Sequence, residues 1–174
     1  VDAQISQLEL SLREGFDRSI RWEVETATSM LERIDALKVD GTLTPEQANA
    51  IAKTLLRELR YNKDGYFWAD TITGDNVVLL GKDSEGKNRI DALDAKGYPY
   101  AKNIIANGMK DGGGYTDYWF PKAGADVPLP KRSYSLLSKP WGSVLGSGSF
   151  LADIKVIVTE KRAHAFEAMY AVLA

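Results

Sequence analysis

Residues 112–150 read GGGYTDYWFPKAGADVPLPKRSYSLLSKPWGSVLGSGSF. Three runs in this stretch, Tyr115–Phe120, Lys131–Leu137 and Ser143–Phe150, are rich in aromatic and branched residues. Their joints are turn chemistry: Pro-Lys-Ala-Gly, Pro-Leu-Pro and Lys-Pro-Trp-Gly. Strand-like runs broken by such clusters specify an antiparallel meander. Lys131 stands at the start of the middle run, a cation flanked in sequence by aromatics.

Before the meander, Gly65–Thr71 (GYFWADT) reads as a strand that puts Tyr66, Trp68 and Asp70 on one face. Thr73-Gly74-Asp75 turns the chain, and Asn76–Leu80 completes a hairpin. Gly81–Gly97 is polar and loop-like. Tyr98–Lys110 reads as a short helix, and the Gly112-Gly113-Gly114 hinge leads into the meander.

The first 39 residues carry apolar positions at steps of three or four: Ile5, Leu8, Leu12, Phe16, Ile20, Val24, Ala27, Leu31 and Ile34. This is the stripe of one amphipathic helix. Such a helix is about 55 Å long, longer than a compact domain of this size is wide, so its start should project beyond the core. Asp40-Gly41 stops it. Thr44-Pro45-Glu46-Gln47 starts a second helix with a capping box, and Ala48, Ile51, Ala52, Leu55 and Leu59 form its expected buried face. A last helix runs from about Ala152 to the end. Five antiparallel strands with helices gathered on one side make an α+β domain over residues 1–174, divided into 1–39, 40–150 and 151–174.

Composition narrows the function. The 174 residues are 44% hydrophobic and 26% charged, with 22 basic against 24 acidic residues and no basic stripe to suggest nucleic acid. No cysteine is present, which removes disulfides, thiol nucleophiles and thiolate metal sites together. The one His, His164, lies beside Lys161 and Arg162 in the last helix and reads as a surface residue. Ser147 and Ser149 resemble no nucleophile elbow; they read as small residues that let a strand pack closely. Asp83, Glu85, Asp91 and Asp94 are interleaved with Lys82, Lys87 and Arg89, which reads as a solvated mixed-charge loop rather than a Ca²⁺ site. An acid–base enzyme built on Asp70 and Asp117 is the weakest reading, and no metal or cofactor is expected.

One constellation remains. Arg57, Arg60 and Lys131 come from separate parts of the chain and can converge with Tyr66, Trp68, Tyr118 and Tyr134. Cationic donors among aromatic walls suit a carboxylate, because excluding water strengthens charge-assisted hydrogen bonds. The same residues also fit a plainer arrangement, with exposed helix arginines and Lys131 guarding a sheet edge.

Five segments stand in order: Arg60-Tyr61; Gly65-Tyr66-Phe67-Trp68-Ala69-Asp70-Thr71-Ile72-Thr73-Gly74; Gly114-Tyr115-Thr116-Asp117-Tyr118-Trp119-Phe120-Pro121-Lys122; Pro130-Lys131-Arg132-Ser133-Tyr134; and Pro140-Trp141-Gly142-Ser143-Val144-Leu145-Gly146-Ser147-Gly148. Together they resemble the single-Cache sensor domain of methyl-accepting chemotaxis proteins and related transducers, over about residues 20–155. The resemblance implies a PAS-like five-stranded antiparallel sheet. It also implies a periplasmic or extracellular domain of a bacterial inner-membrane protein, held between membrane helices outside this chain. The expected ligand is a small organic carboxylate of the acetate, propionate, lactate or pyruvate class, and the output passes through the terminal helices. Carried onto matching positions, the ligand residues are Arg60, Tyr66, Trp68, Asp70, Tyr118, Lys131 and Tyr134. Many members have His-Pro after the second strand, where this chain has Leu79-Leu80; a more apolar pocket wall favours a ligand with a methyl end. The alternative is a dimerisation or partner-binding module that acts without a ligand.

Overall fold

In the computed structural model, which describes residues 2–173, the long apolar stripe forms one unbroken helix, α1 (Asp2–Val39). Gly15 does not interrupt it. Ile20, Val24, Ala27, Leu31 and Ile34 are buried, whereas Leu8, Leu12 and Phe16 are only partly covered, so the first half of α1 does extend past the core. The side chain of Ile5, and the terminal residues Val1 and Ala174, lie outside the described residues.

Helix α2 (Pro45–Glu58) opens on the expected capping box. Thr44 Oγ1 accepts the Gln47 N–H at 3.1 Å, and Gln47 Oε1 accepts the Thr44 N–H at 2.9 Å. Its buried face differs from the expected one. Ala48, Ala52 and Leu56 point inward, while Ile51 and Leu55 are exposed. The helix makes contact along one narrow i, i+4 row, so residues about 100° round the axis face solvent.

The strands are β1 (Arg60–Tyr61), β2 (Gly65–Thr71), β3 (Asn76–Leu79), β4 (Gly114–Pro121), β5 (Pro128–Ser138) and β6 (Ser143–Phe150). All five expected strands form, and their order across the sheet is β3-β2-β6-β5-β4, antiparallel throughout. The sixth, two-residue β1 pairs with the start of β2, on residues that β3 leaves free. Helix α3 (Tyr100–Gly108) connects the hairpin to the meander, and α4 (Leu151–Leu173) follows β6 with no linker.

Alternation along the strands divides the core in two. Phe67, Ala69, Tyr134 and Leu145 pack under α1 and α2. Tyr66, Trp68, Leu79 and Tyr118 face the other way and are covered by Ile104 of α3. Helices therefore lie on both faces, not one; the short α3 is needed because the second face is too aromatic to be left to solvent. Glu9 of α1 meets Arg162 of α4 at 3.5 Å, and Phe16 shares a cleft with Ile154 and Ile157. The two helices thus run antiparallel, and both leave the sheet on the same side.

Candidate functional site

Lys131 defines the site. In β5 it stands opposite Tyr118 of β4 on one side and Phe150 of β6 on the other. The side chain is 1% exposed, and its ammonium donates a hydrogen bond to Tyr66 Oη at 2.9 Å. The rings of Tyr66, Trp68, Phe150 and Phe120 surround Nζ, with centroids at 4.5, 4.8, 5.2 and 5.3 Å. No carboxylate lies within ion-pairing distance of it among the described residues. Burial disfavours the charged form, and Lys82 and Arg89 add repulsion, so the ammonium's pKa falls to about 7. The same burial pushes the Tyr66 hydroxyl up to about 12 and the Tyr118 hydroxyl higher still, so both stay protonated donors.

The walls are built from several elements. Trp68 of β2 sits opposite Gly146 of β6, where any Cβ would approach its indole to 2.5 Å; the glycine lets the ring lie across the neighbouring strand. Trp68 Nε1 is buried without a hydrogen-bond partner among the described residues. Tyr118 stacks on Tyr100 at 5.3 Å, and Phe120 meets both rings. Between these side chains, Leu79, Ile104 and Arg89 lies a cavity of only about 10 Å³, enough for about one water.

Of the seven residues expected at the site, the structure brings Tyr66, Trp68, Tyr118 and Lys131 together around this chamber. Asp70 stands one step behind. Its fully buried carboxylate takes two hydrogen bonds from Arg89, at 2.7 and 2.5 Å, and one from Asn76 at 3.0 Å. Burial acts to lower the Arg89 pKa, but the Asp70 carboxylate outweighs it and holds the guanidinium charged. Arg89, which lines the chamber, was missed in sequence; the signal was a buried-strand Asp that needs a cation.

Arg60 and Tyr134 lie elsewhere. Arg60 is exposed and donates to the carbonyls of Arg57 and Leu59 at 2.7 and 2.9 Å. Tyr134 is three residues from Lys131 on one strand and so points to the opposite face; it packs beneath α1 and donates to the Gly112 carbonyl. Arg57 grips Glu85 through Nε and Nη2 at 3.2 and 2.8 Å. The Glu85 carboxylate in turn accepts the Leu79 and Gly81 N–H groups at 2.7 and 2.8 Å, clamping the turn that holds Leu80 at φ 55°. Among the described residues no three His, Cys, Asp or Glu side chains converge on a metal position, and no helix is long and apolar enough to cross a membrane.

A second, larger space of about 440 Å³ opens between the β1–β2 turn, the β4–β5 loop and the first turns of α4. It holds Arg60, Lys63 and Lys122 but not Lys131. The chamber, not this cleft, has the buried unpaired cation and the polar donors that fix a ligand's orientation, so the chamber is the candidate site.

Comparison with known proteins agrees with this architecture. A methyl-accepting chemotaxis protein of Pseudomonas putida, McpP, is 30% identical over 152 residues, which cover 87% of this chain and 28% of the relative. The sensor histidine kinase MctS of Rhizobium johnstonii is 31% identical over 110 residues, 63% of this chain and 24% of that protein. The chain thus spans about a quarter of the length of these relatives. Two solved structures superpose with TM-scores of 0.75 and 0.76 at 30% and 29% identity, each covering 80% of this chain and 96% of the other. One is described as a periplasmic sensor domain of a chemotaxis protein, the other as the structural basis for carboxylic acid recognition by a Cache chemosensory domain. With residues 12–163 matching its family description, the chain belongs to the Single Cache domain 2 family.

Proposed function

We propose that this chain is the periplasmic ligand-binding domain of a bacterial chemoreceptor or sensor kinase, and that it senses a short organic carboxylate in the Lys131 chamber. The carrying observation is Lys131 itself: an ammonium 1% exposed, ringed by four aromatics, with a tyrosine hydroxyl but, among the described residues, no carboxylate beside it. A buried cation left unpaired is unstable unless a counter-charge joins it. A ligand carboxylate supplies that charge. Lys131 neutralises it, Tyr66 and Tyr118 donate to its oxygens, and Arg89, held by Asp70, adds positive potential. Trp68, Leu79, Ile104 and Phe120 give the ligand's small tail an apolar lining. The recognition of carboxylic acids by a structural relative supports the same class.

A cavity of about 10 Å³ cannot hold even a two-carbon acid, so binding must displace a wall. Phe150 is the neighbour of the Lys131 ammonium that is joined to the output: its ring stands 5.2 Å from Nζ, and the next residue begins α4. Ligand binding that favours one position of Phe150 would shift α4 against α1, and differential affinity for two helix arrangements is what signalling requires. Residues 151–174 are proposed to lead toward the membrane segment of the whole receptor.

The test is calorimetry and thermal shift against acids of two to four carbons. At 100 times its Kd a true ligand adds about 2.7 kcal/mol of stability. Stabilisation by at least one acid, lost in Lys131→Ala, is expected. No stabilisation by any acid would sink the reading. Ligand-independent dimerisation is favoured by one observation, Trp22, which is 61% exposed on α1. Sedimentation at graded concentrations, with Trp22→Ser as control, separates the two.

A further inference from the structure

We infer that the 440 Å³ cleft is the entry port through which the anion reaches Lys131, and that Leu80 is its gate. This rests on the reading of the chamber as the ligand site. The cleft and the chamber are separate spaces that share one wall. Tyr66 lines both. Leu80 lines the cleft and packs against the aromatic cluster around the chamber. Phe150 lines the cleft and stands 5.2 Å from the Lys131 ammonium. Elsewhere around the chamber, Ile104 of α3 is 1% exposed, and Arg89 is held to Asp70 by two short hydrogen bonds.

The shared wall contains the one gate residue whose backbone is strained. Leu80 is a non-glycine residue at φ 55°, in the left-handed region where an L side chain crowds its own carbonyl. It stays there because Glu85 holds the N–H groups on either side of it, at Leu79 and Gly81. Leu80 lies just past the end of β3, so its outward movement would open the chamber toward the cleft from outside the sheet ladder. The cleft's charge suits the passenger. Arg60, Lys63 and Lys122 stand against Asp64 and Asp153 around it, and Lys122 already neutralises Asp153 at 2.7 Å. An open concave mouth with surplus positive charge concentrates small anions.

The chain has no cysteine, so a single introduced thiol can be labelled after folding. Lys63→Cys and Ala123→Cys place a bulky maleimide on the two loops that wall the cleft; Leu93→Cys places it on the loop outside Arg89. Stopped-flow binding of the acid that stabilises the unlabelled protein is then measured before and after labelling. Labels at 63 or 123 are expected to slow association and dissociation together by about tenfold with Kd unchanged, as obstruction of a path does. A label at 93 is expected to leave both rates alone. Unaltered rates with labels at 63 and 123, or slowing only by the label at 93, would overturn the port while leaving the chamber as the site. No binding by any acid to the unlabelled variants would overturn both.

Discussion

The Lys131 ammonium lies 2.9 Å from the Tyr66 hydroxyl, inside four aromatic rings, and has no carboxylate partner among the described residues. Its proton is therefore held weakly, with a pKa near 7. A bound carboxylate would raise that value by attraction. Below pH 7 the chamber is already charged and affinity should be flat. Above pH 7 each binding event must bring a proton, so affinity should fall by about tenfold per pH unit until the pKa of the complex is passed. Calorimetry at pH 8 in buffers of different ionisation enthalpy should report proton uptake. Uptake of none would remove Lys131 from the binding step.

The same group makes a prediction for the free domain. The folded pKa of Lys131 is lowered from 10.5 to about 7, so between those values the unfolded chain holds more protons. Stability should rise as pH climbs from 7 toward 10, by up to about 1.4 kcal/mol per pH unit from this residue. Lys131→Met should abolish that slope and stabilise the domain at pH 6 by a few kcal/mol, because an unpaired buried charge is exchanged for an apolar chain. It should also abolish acid binding. Urea melts at pH 6 and 9 check both halves.

Asp70 and Arg89 form the buried pair that shapes the rear of the chamber, 0% and 10% exposed at their side chains. Removing one partner leaves the other charge stranded. Asp70→Ala should cost about 3–5 kcal/mol in urea unfolding. Asp70→Asn keeps the shape and one acceptor but not the charge, and should fall between wild type and Asp70→Ala. Equal stability of all three would show that the pair carries no net stabilisation.

Much of the fold was legible in the sequence because its signals are local. Thr44 and Gln47 announce a cap, Gly-Pro clusters announce turns, and alternation in GYFWADT announces a half-aromatic strand. The site was legible only in part. The spacing of Lys131 and Tyr134 already forbids a shared face on a regular strand, although the two stand together in the Pro-Lys-x-x-Tyr segment. Arg89 could not be picked out from Lys82 and Lys87, because an irregular loop has no periodicity to say which cation turns inward. Two residues are too few for any pattern, so β1 was invisible. The face of α2 was misplaced because Ile51 and Leu55 are as apolar as Leu56, and only the tertiary contact chooses between them.

Gly146 tests the packing of the chamber floor. A methyl group there would stand 2.5 Å from Trp68 Cε2 and Cζ2, atoms of a ring too rigid to bend aside. Gly146→Ala should therefore destabilise by about 1–3 kcal/mol and tilt the indole. Tryptophan fluorescence and acid affinity should change together. A variant with normal stability and normal affinity would show that β6 can retreat without cost.

Phe150 tests how the site reaches the helices. It lies opposite Lys131 in the β5–β6 register, and its ring also sits 5.5 Å from the Lys122 ammonium, which bridges to Asp153 in the first turn of α4 at 2.7 Å. Truncation to Ala would remove a buried aromatic at a cost of about 3–5 kcal/mol and confuse coupling with unfolding. Phe150→Leu keeps apolar volume while removing the ring that both ammonium groups approach. In wild type, ligand should change amide exchange across residues 151–158. In Phe150→Leu the acid should still bind, within about tenfold of wild-type affinity, since the loss is one ring–cation contact of about 1 kcal/mol. The exchange change in α4 should disappear. An undiminished change in α4 would mean that the signal leaves the chamber by another wall, and α3, which covers the opposite side through Ile104, would be the next element to test.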